Sequence, residues 1–190
     1  MSDVPQSPGP EYPPVPPGGG LGGSSSITTP NTIGSLSTLH DASAKMGNDK
    51  ATANAQRVAA DDAQSAQLLS RAYGGAAATV VHYADGQLAN MAVLLVVRAD
   101  SPEPYERYEN LKELGLSVPQ REVQHLGDVV CDVVNTVTVT SGQEPADGVQ
   151  TAACQRTGDG LTVQVRPIGD IAHHPDEVAA LVDDAWSGVH

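Results

Sequence analysis

The feature that most restricts this chain is the placement of its only two cysteines, Cys131 and Cys154, each inside a stretch with strand periodicity. The odd positions Val129, Cys131, Val133, Val137 and Val139 are apolar apart from Asn135, while Asp128, Asp132, Thr136, Thr138 and Thr140 fall on alternate positions. Period two with one apolar side predicts a half-buried strand. Beyond a Gly/Pro loop, Ala152 and Cys154 alternate with Ala153 and Gln155, and Leu161, Val163 and Val165 alternate with Thr162, Gln164 and Arg166. Gly158-Asp159-Gly160 between these runs supplies residues that tolerate the positive φ of a tight hairpin. A three-strand antiparallel meander follows. Neighbouring strands can bring Cys131 and Cys154 within bridging distance, so one disulfide is expected. The alternative is two buried free thiols, since a reduced cysteine packs as a small hydrophobe. No CxxC or zinc-like Cys/His spacing is present.

The need for a covalent staple follows from composition. With no Phe, one Trp and only 3% aromatic residues, the core has to be built from Val, Leu and Ala, and is thin. Acidic residues outnumber basic ones 23 to 10, and a formal charge of -13 repels nucleic acid and anionic lipid surfaces. No apolar run is long enough to span a membrane. The start, MSDVPQSPGPEYPPVPPGGG, lacks the basic and apolar regions of a secretory signal. A disulfide belongs to an oxidising compartment. The expected setting is therefore extracytoplasmic, with a separate membrane anchor, and the alternative is a cytoplasmic chain with reduced cysteines.

Residues 1–50 read as a disordered Pro/Gly/Ser-rich tail that buries too little apolar surface to offset chain entropy; Ile27, Ile33, Leu36 and Leu39 are its candidates for docking on the domain. Residues 51–190 read as one α+β domain. It opens with an Ala/Gln-rich helix whose apolar stripe includes Val58, Ala66, Leu69 and Tyr73, with Leu68 and Ala72 beside it. Asp61 and Asp62 are expected on the exposed side, and Gly74-Gly75 ends the helix. Two strands follow, Ala76 to Tyr83 and Asn90 to Arg98. The second, NMAVLLVVR, is apolar on both faces and suits the centre of a sheet covered on each side. A short helix is expected over YERYENLKELG after Pro104, with Tyr108, Leu111 and Leu114 inward. A strand over Val118 to Leu126 leads into the meander. A last helix in HHPDEVAALVDDAWSGV carries Pro175, Asp176 and Glu177 in its first turn, where proline fits and the helix dipole favours negative charge. The expected fold is an antiparallel sheet of about five or six strands packed by N- and C-terminal helices, with one disulfide.

The pieces LSRAYGG, NMAVLLVVRADSP, CQRTGDGLTVQVR and HPDEVAALVDDAW, within residues 55–188, resemble the extracytoplasmic domains of uncharacterised actinobacterial membrane proteins and lipoproteins. The Pro/Gly-rich start is similar to the cytoplasmic tail that often precedes their membrane helix. The resemblance implies a fold and an envelope location, and it assigns no activity or cofactor.

Chemistry has to be read from individual residues. His173-His174 with Asp176 could be metal ligands or an acid/base cluster, but adjacent residues at a helix start suit capping at least as well. His82 and His125 fall in strands. Ser70 and Ser101 have no nucleophile-elbow context, and the Asp61-Asp62 and Asp183-Asp184 pairs diverge by about 100° around a helix. Two functions follow. The first is non-catalytic binding of an envelope ligand or protein partner through the sheet face or the loop Ser141 to Gly148, with Gly142, Gln143, Glu144 and Pro145 as contacts. The second is a small hydrolase whose base, among His82, His125, His173 and His174, meets its partners only in the fold.

Overall fold

The structure is a computed structural model describing residues 26–143 and 148–189. One mixed-length antiparallel sheet of eight strands carries it, in the order β1-β2-β3-β4-β8-β7-β6-β5. The strands are β1 (Thr32–Ile33), β2 (Leu36–Thr38), β3 (Ala78–Ala84), β4 (Met91–Val97), β5 (Arg121–Leu126), β6 (Val129–Asn135), β7 (Val149–Gly158) and β8 (Leu161–Ile168). The helices are α1 (Leu39–Lys45), α2 (Asp49–Ala72), α3 (Leu111–Leu114) and α4 (Pro175–Gly188), the last preceded by a 3-10 turn at Asp170–His173.

The α+β class and the antiparallel sheet agree with the sequence reading, whereas the strand count exceeds the expected five or six. The excess comes from a segment assigned to the tail. Leu36–Thr38 pairs with the Tyr83–Ala84 end of β3, and Thr32–Ile33 pairs with β2. Ile33 and Leu36 are fully buried in the main core, and Leu39 and Ala42 in a second cluster. The ordered fold therefore starts upstream of Ala51. The four apolar side chains that stood out in a polar stretch are enough to bring it onto the sheet.

The two faces of the sheet are covered differently. On one, α4 packs Val178, Leu181, Val182 and Ala185 over Ala92, Leu94 and Val96 of β4, Val163 and Val165 of β8, and the cysteines. On the other, α1 and α2 cover only the β2–β4 side, through Leu39, Ala42, Ala55 and Val58 against Ala84 and Met91. This accounts for the two-sided apolar pattern of β4. Cys131 and Cys154 are cross-strand partners on β6 and β7, joined by a disulfide that is fully buried beneath the first turn of α4.

Local signals set most boundaries. The Asn48 side chain accepts the Lys50 N–H at the start of α2, and Gly74 and Gly75 end it with positive φ. Asp159 and Gly160, at φ 52° and 73°, close the two-residue hairpin between β7 and β8. In the β3–β4 turn the Asp85 carboxylate accepts the N–H groups of Gln87, Ala89 and Asn90. Desolvation pushes that carboxyl up, but these bonds together hold it below its usual range.

Three local expectations fail. The helix expected after Pro104 shrinks to Leu111–Leu114, leaving Tyr108 and Leu114 exposed, because the preceding residues are tied down in an extended path described below. Leu68 on α2 is exposed as well. Asp62 is buried instead of exposed: its carboxylate accepts the His82 backbone N–H at 3.2 Å and pairs with His82 Nδ1 at 2.8 Å. It satisfies β3 at a residue that the short β2 does not reach.

Gly169 gives a sharp test of the β8–α4 corner. Its φ is 94°, and an added Cβ would collide with the Ala89 carbonyl oxygen and crowd Asn90 Oδ1 at 3.1 Å. Gly169→Ala combines backbone strain with a backbone clash and is expected to cost about 2 kcal/mol or more in urea unfolding. Gly160→Ala, in open space at φ 73°, should cost less.

Candidate functional site

Beyond the reach of α2, the second sheet face carries polar side chains. Thr162, Gln164 and Arg166 of β8 alternate with the buried Val163 and Val165, and Gln155 of β7 and Asp132 of β6 continue the polar face across neighbouring strands. A ten-residue walk without regular secondary structure, residues 101–110, passes over this face as a strap. At its start, Thr162 Oγ1 donates to the Ala99 carbonyl at 2.8 Å and accepts the Ser101 N–H at 2.9 Å. Gln155 Nε2 then donates to the Pro102 carbonyl at 2.8 Å.

Further along, three glutamates fasten the strap to β5 and its approach. Glu103 lies 3.0 Å from His125 Nε2, Glu106 2.9 Å from Arg121 Nε, and Glu109 accepts the Gln120 N–H at 2.8 Å. Their three-residue spacing suits an extended strand that turns once every three residues, as polyproline II does, so all three reach the same way. Tyr105 and Tyr108 share that spacing and are 83% and 84% exposed, which places them on another side. Helix formation from Pro104 would shorten the spacing of these glutamates from about 9 Å to about 4.5 Å and draw them off partners spread along β5 and its approach. Their fastening explains why α3 is short.

Between the strap and the end of α2 lies an open cleft of ≈ 520 Å³, bordered by Tyr73, Ser101, Asp132, Gln155, Gln164 and Arg166. The Tyr73 hydroxyl is bonded to that of Ser101. A chain of donors runs across the floor. Arg166 Nε donates to Gln164 Oε1 at 3.0 Å, Gln164 Nε2 to Gln155 Oε1 at 3.4 Å, and Gln155 Nε2 to the strap. The chain fixes the Arg166 stem, and among the described residues its terminal nitrogens have no acceptor and make no ion pair. Across the floor Asp132 Oδ2 pairs with Arg121, and Asp132 Oδ1 is buried with no hydrogen-bond partner among the described residues. Attraction first to Asp132 and then to Glu106 raises the Arg121 pKa, keeping it charged. The register of β6 and β7 shifts just after Asp132–Ala153, leaving Ala152 as an extra residue. Such a bulge bends the strand and re-aims side chains, and it places two alanines on the cleft floor.

The residues singled out from sequence are dispersed. Gly142 and Gln143 are exposed in a turn after the Leu116–Thr140 bridge, and Glu144 and Pro145 lie outside the described residues. Neither Gly142 nor Gln143 borders the polar cleft; the nearby strand end, Val134 to Thr138, borders a separate cleft of ≈ 650 Å³ with Leu114 and Leu116. The histidines take separate partners: Asp62 for His82, Glu103 for His125, and the Val149 carbonyl for His173 at 2.6 Å. His174 occupies the N-cap of α4 without a side-chain capping bond, so the capping role expected of this pair is absent. No serine, threonine or tyrosine hydroxyl is bonded to a histidine among the described residues. Nor do three His, Cys, Asp or Glu side chains gather there in a group that could hold a metal.

Sequence reasoning missed Arg166, Gln155 and Gln164 because alternation in a strand marks them only as polar. The E-x-x-E-x-x-E spacing behind Pro102 was a usable signal for the strap. Family models, curated proteins and solved structures contain no match to the chain.

Proposed function

We propose that this domain is a non-catalytic, sensor-like binding module of the cell envelope whose ligand sits in the cleft between the strap and the end of α2. The observation that carries this reading is Arg166: its stem is held by a row of amides on the border of a polar cleft, and its guanidinium has no counter-charge among the described residues. A charged group oriented in advance loses little freedom on binding, which favours recognition. The buried disulfide and the resemblance to actinobacterial envelope domains support an extracytoplasmic setting, and the charge of -13 argues against nucleic acid as the partner. Gly142 and Gln143 offer a second contact surface for a protein partner.

The test is a screen of small polar compounds by thermal shift, repeated on Ala153→Leu, which places bulk on the cleft floor. Compounds that bind raise the melting temperature by mass action. Hits on the native chain should lose tenfold or more in affinity in the variant. An absence of hits, or hits indifferent to the substitution, removes the cleft from the proposal. Replacing residues 141–148 by Asn-Gly tests the loop separately.

One geometry favours the hydrolase reading. Asp62 and His82 form a half-buried carboxylate–imidazole pair, with side-chain exposures of 11% and 22%, suited to orienting a base. Turnover of any ester or amide in a hydrolase panel, abolished by His82→Ala with the fold intact, would establish that reading over binding alone.

A further inference from the structure

We infer that the cleft selects a small zwitterion, an amino acid or short peptide with both its ammonium and its carboxylate free. This rests on the cleft being a binding site. The Cys154–Val165 register, carried one residue further, sets Ala153 beside Arg166 on β8, and the β6–β7 register sets it opposite Asp132 on the other side. Arg166 and Asp132 thus flank a methyl group across three strands, with backbones about 10 Å apart at the usual strand spacing. The side chains rise from one face with a gap between them.

The charges at the two ends of that gap differ in sign. Arg166 contributes one positive charge with no counter-charge among the described residues. At the other end, the single Arg121 guanidinium is shared between Asp132 and Glu106, leaving one negative charge. Glu103 at the rim adds a further carboxylate, 3.0 Å from His125 Nε2. A purely anionic ligand would pair with Arg166 and be repelled by Asp132, Glu106 and Glu103, whereas a purely cationic one would meet the reverse. A zwitterion matches both ends, its carboxylate taking the planar donor pair of Arg166 and its ammonium lying toward the carboxylates. Tyr73 and the strap border the remaining space and leave room for a side chain or a second residue.

The test titrates the full chain by calorimetry at low salt with alanylalanine, its N-acetyl form and its C-terminal amide. Alanylalanine should bind, with either blocked form at least tenfold weaker. In Arg166→Gln the free dipeptide and its amide should bind equally weakly, and in Glu106→Gln the penalty for N-acetylation should shrink while Asp132 stays in place. Added salt should weaken binding. Equal affinity for the free and blocked forms, or failure to bind alanylalanine by a chain whose other hits are lost in Ala153→Leu, overturns the zwitterion assignment while leaving the cleft a binding site. Zwitterion binding that survives Ala153→Leu unchanged overturns both.

Discussion

A chain beginning at Ala51 is expected to lose its cooperative fold, whereas one beginning at Ser26 retains it. The difference is the segment holding β1, β2 and α1. Ile33 and Leu36 are buried to 0% and 2% exposure in the same cluster as α4, and Leu39 to 5% against α2 and β3. Removing a buried Leu or Ile side chain typically costs about 2–5 kcal/mol each, and the total for three approaches the whole stability of a domain, about 5–15 kcal/mol. Polar losses add to this. The buried Tyr83 hydroxyl donates to the Pro30 carbonyl at 2.6 Å, and Asp184 of α4 accepts the Gly34 N–H at 2.7 Å. Without the segment the Tyr83 hydroxyl has no such acceptor and one side of both helical layers is uncovered. Urea unfolding followed by near-ultraviolet circular dichroism compares the two chains. A shared midpoint would mean that the N-terminal strands merely decorate a domain complete without them.

Reduction of Cys131–Cys154 is expected to remove about 3 kcal/mol by the chain-entropy relation for a loop of this length, with 23 residues of sequence separation between the cysteines. At about 2–4 °C per kcal/mol for a chain of this size, the melting temperature should fall by about 10 °C. The core explains why the loss is serious. The bridge occupies the centre of the α4 face, where its neighbours are mostly valines and alanines and no phenylalanine exists to fill space. Full burial also predicts slow reduction of the native protein and rapid reduction in urea, since attack on sulfur requires access. Melting with and without reductant measures the first effect, and timed alkylation the second. An unchanged melting temperature after complete reduction would show that packing alone holds β6 to β7.

Period-two alternation determined β6, β7 and β8 and put Cys131 and Cys154 on neighbouring strands, because burial on a pleated sheet repeats every second residue, and the unbroken apolar run of β4 determined its two-sided cover. Capping and turn residues likewise marked the C-terminal end of α2, the β7–β8 hairpin and the start of α4, whereas the Asn48 cap of α2 went unread. These are short-range constraints, and a sequence displays them directly. Tertiary structure alone decided where sparse or polar residues would go. Ile33 and Leu36 lie in too polar a stretch to announce two strands, and they form them only because Tyr83, β3 and α4 present a surface to cover. Asp62 is buried because the short β2 leaves the His82 N–H to be satisfied from α2. Arg166, Gln164, Gln155 and Asp132 read as an ordinary solvated sheet face, and become a cleft because α2 stops short of β8 and the Glu103-Glu106-Glu109 strap crosses above them. Which polar residues face one another depends on contacts between segments distant in sequence, such as Asp100 with Gly160 and Gly34 with Asp184, and hydrophobic periodicity carries no information about those.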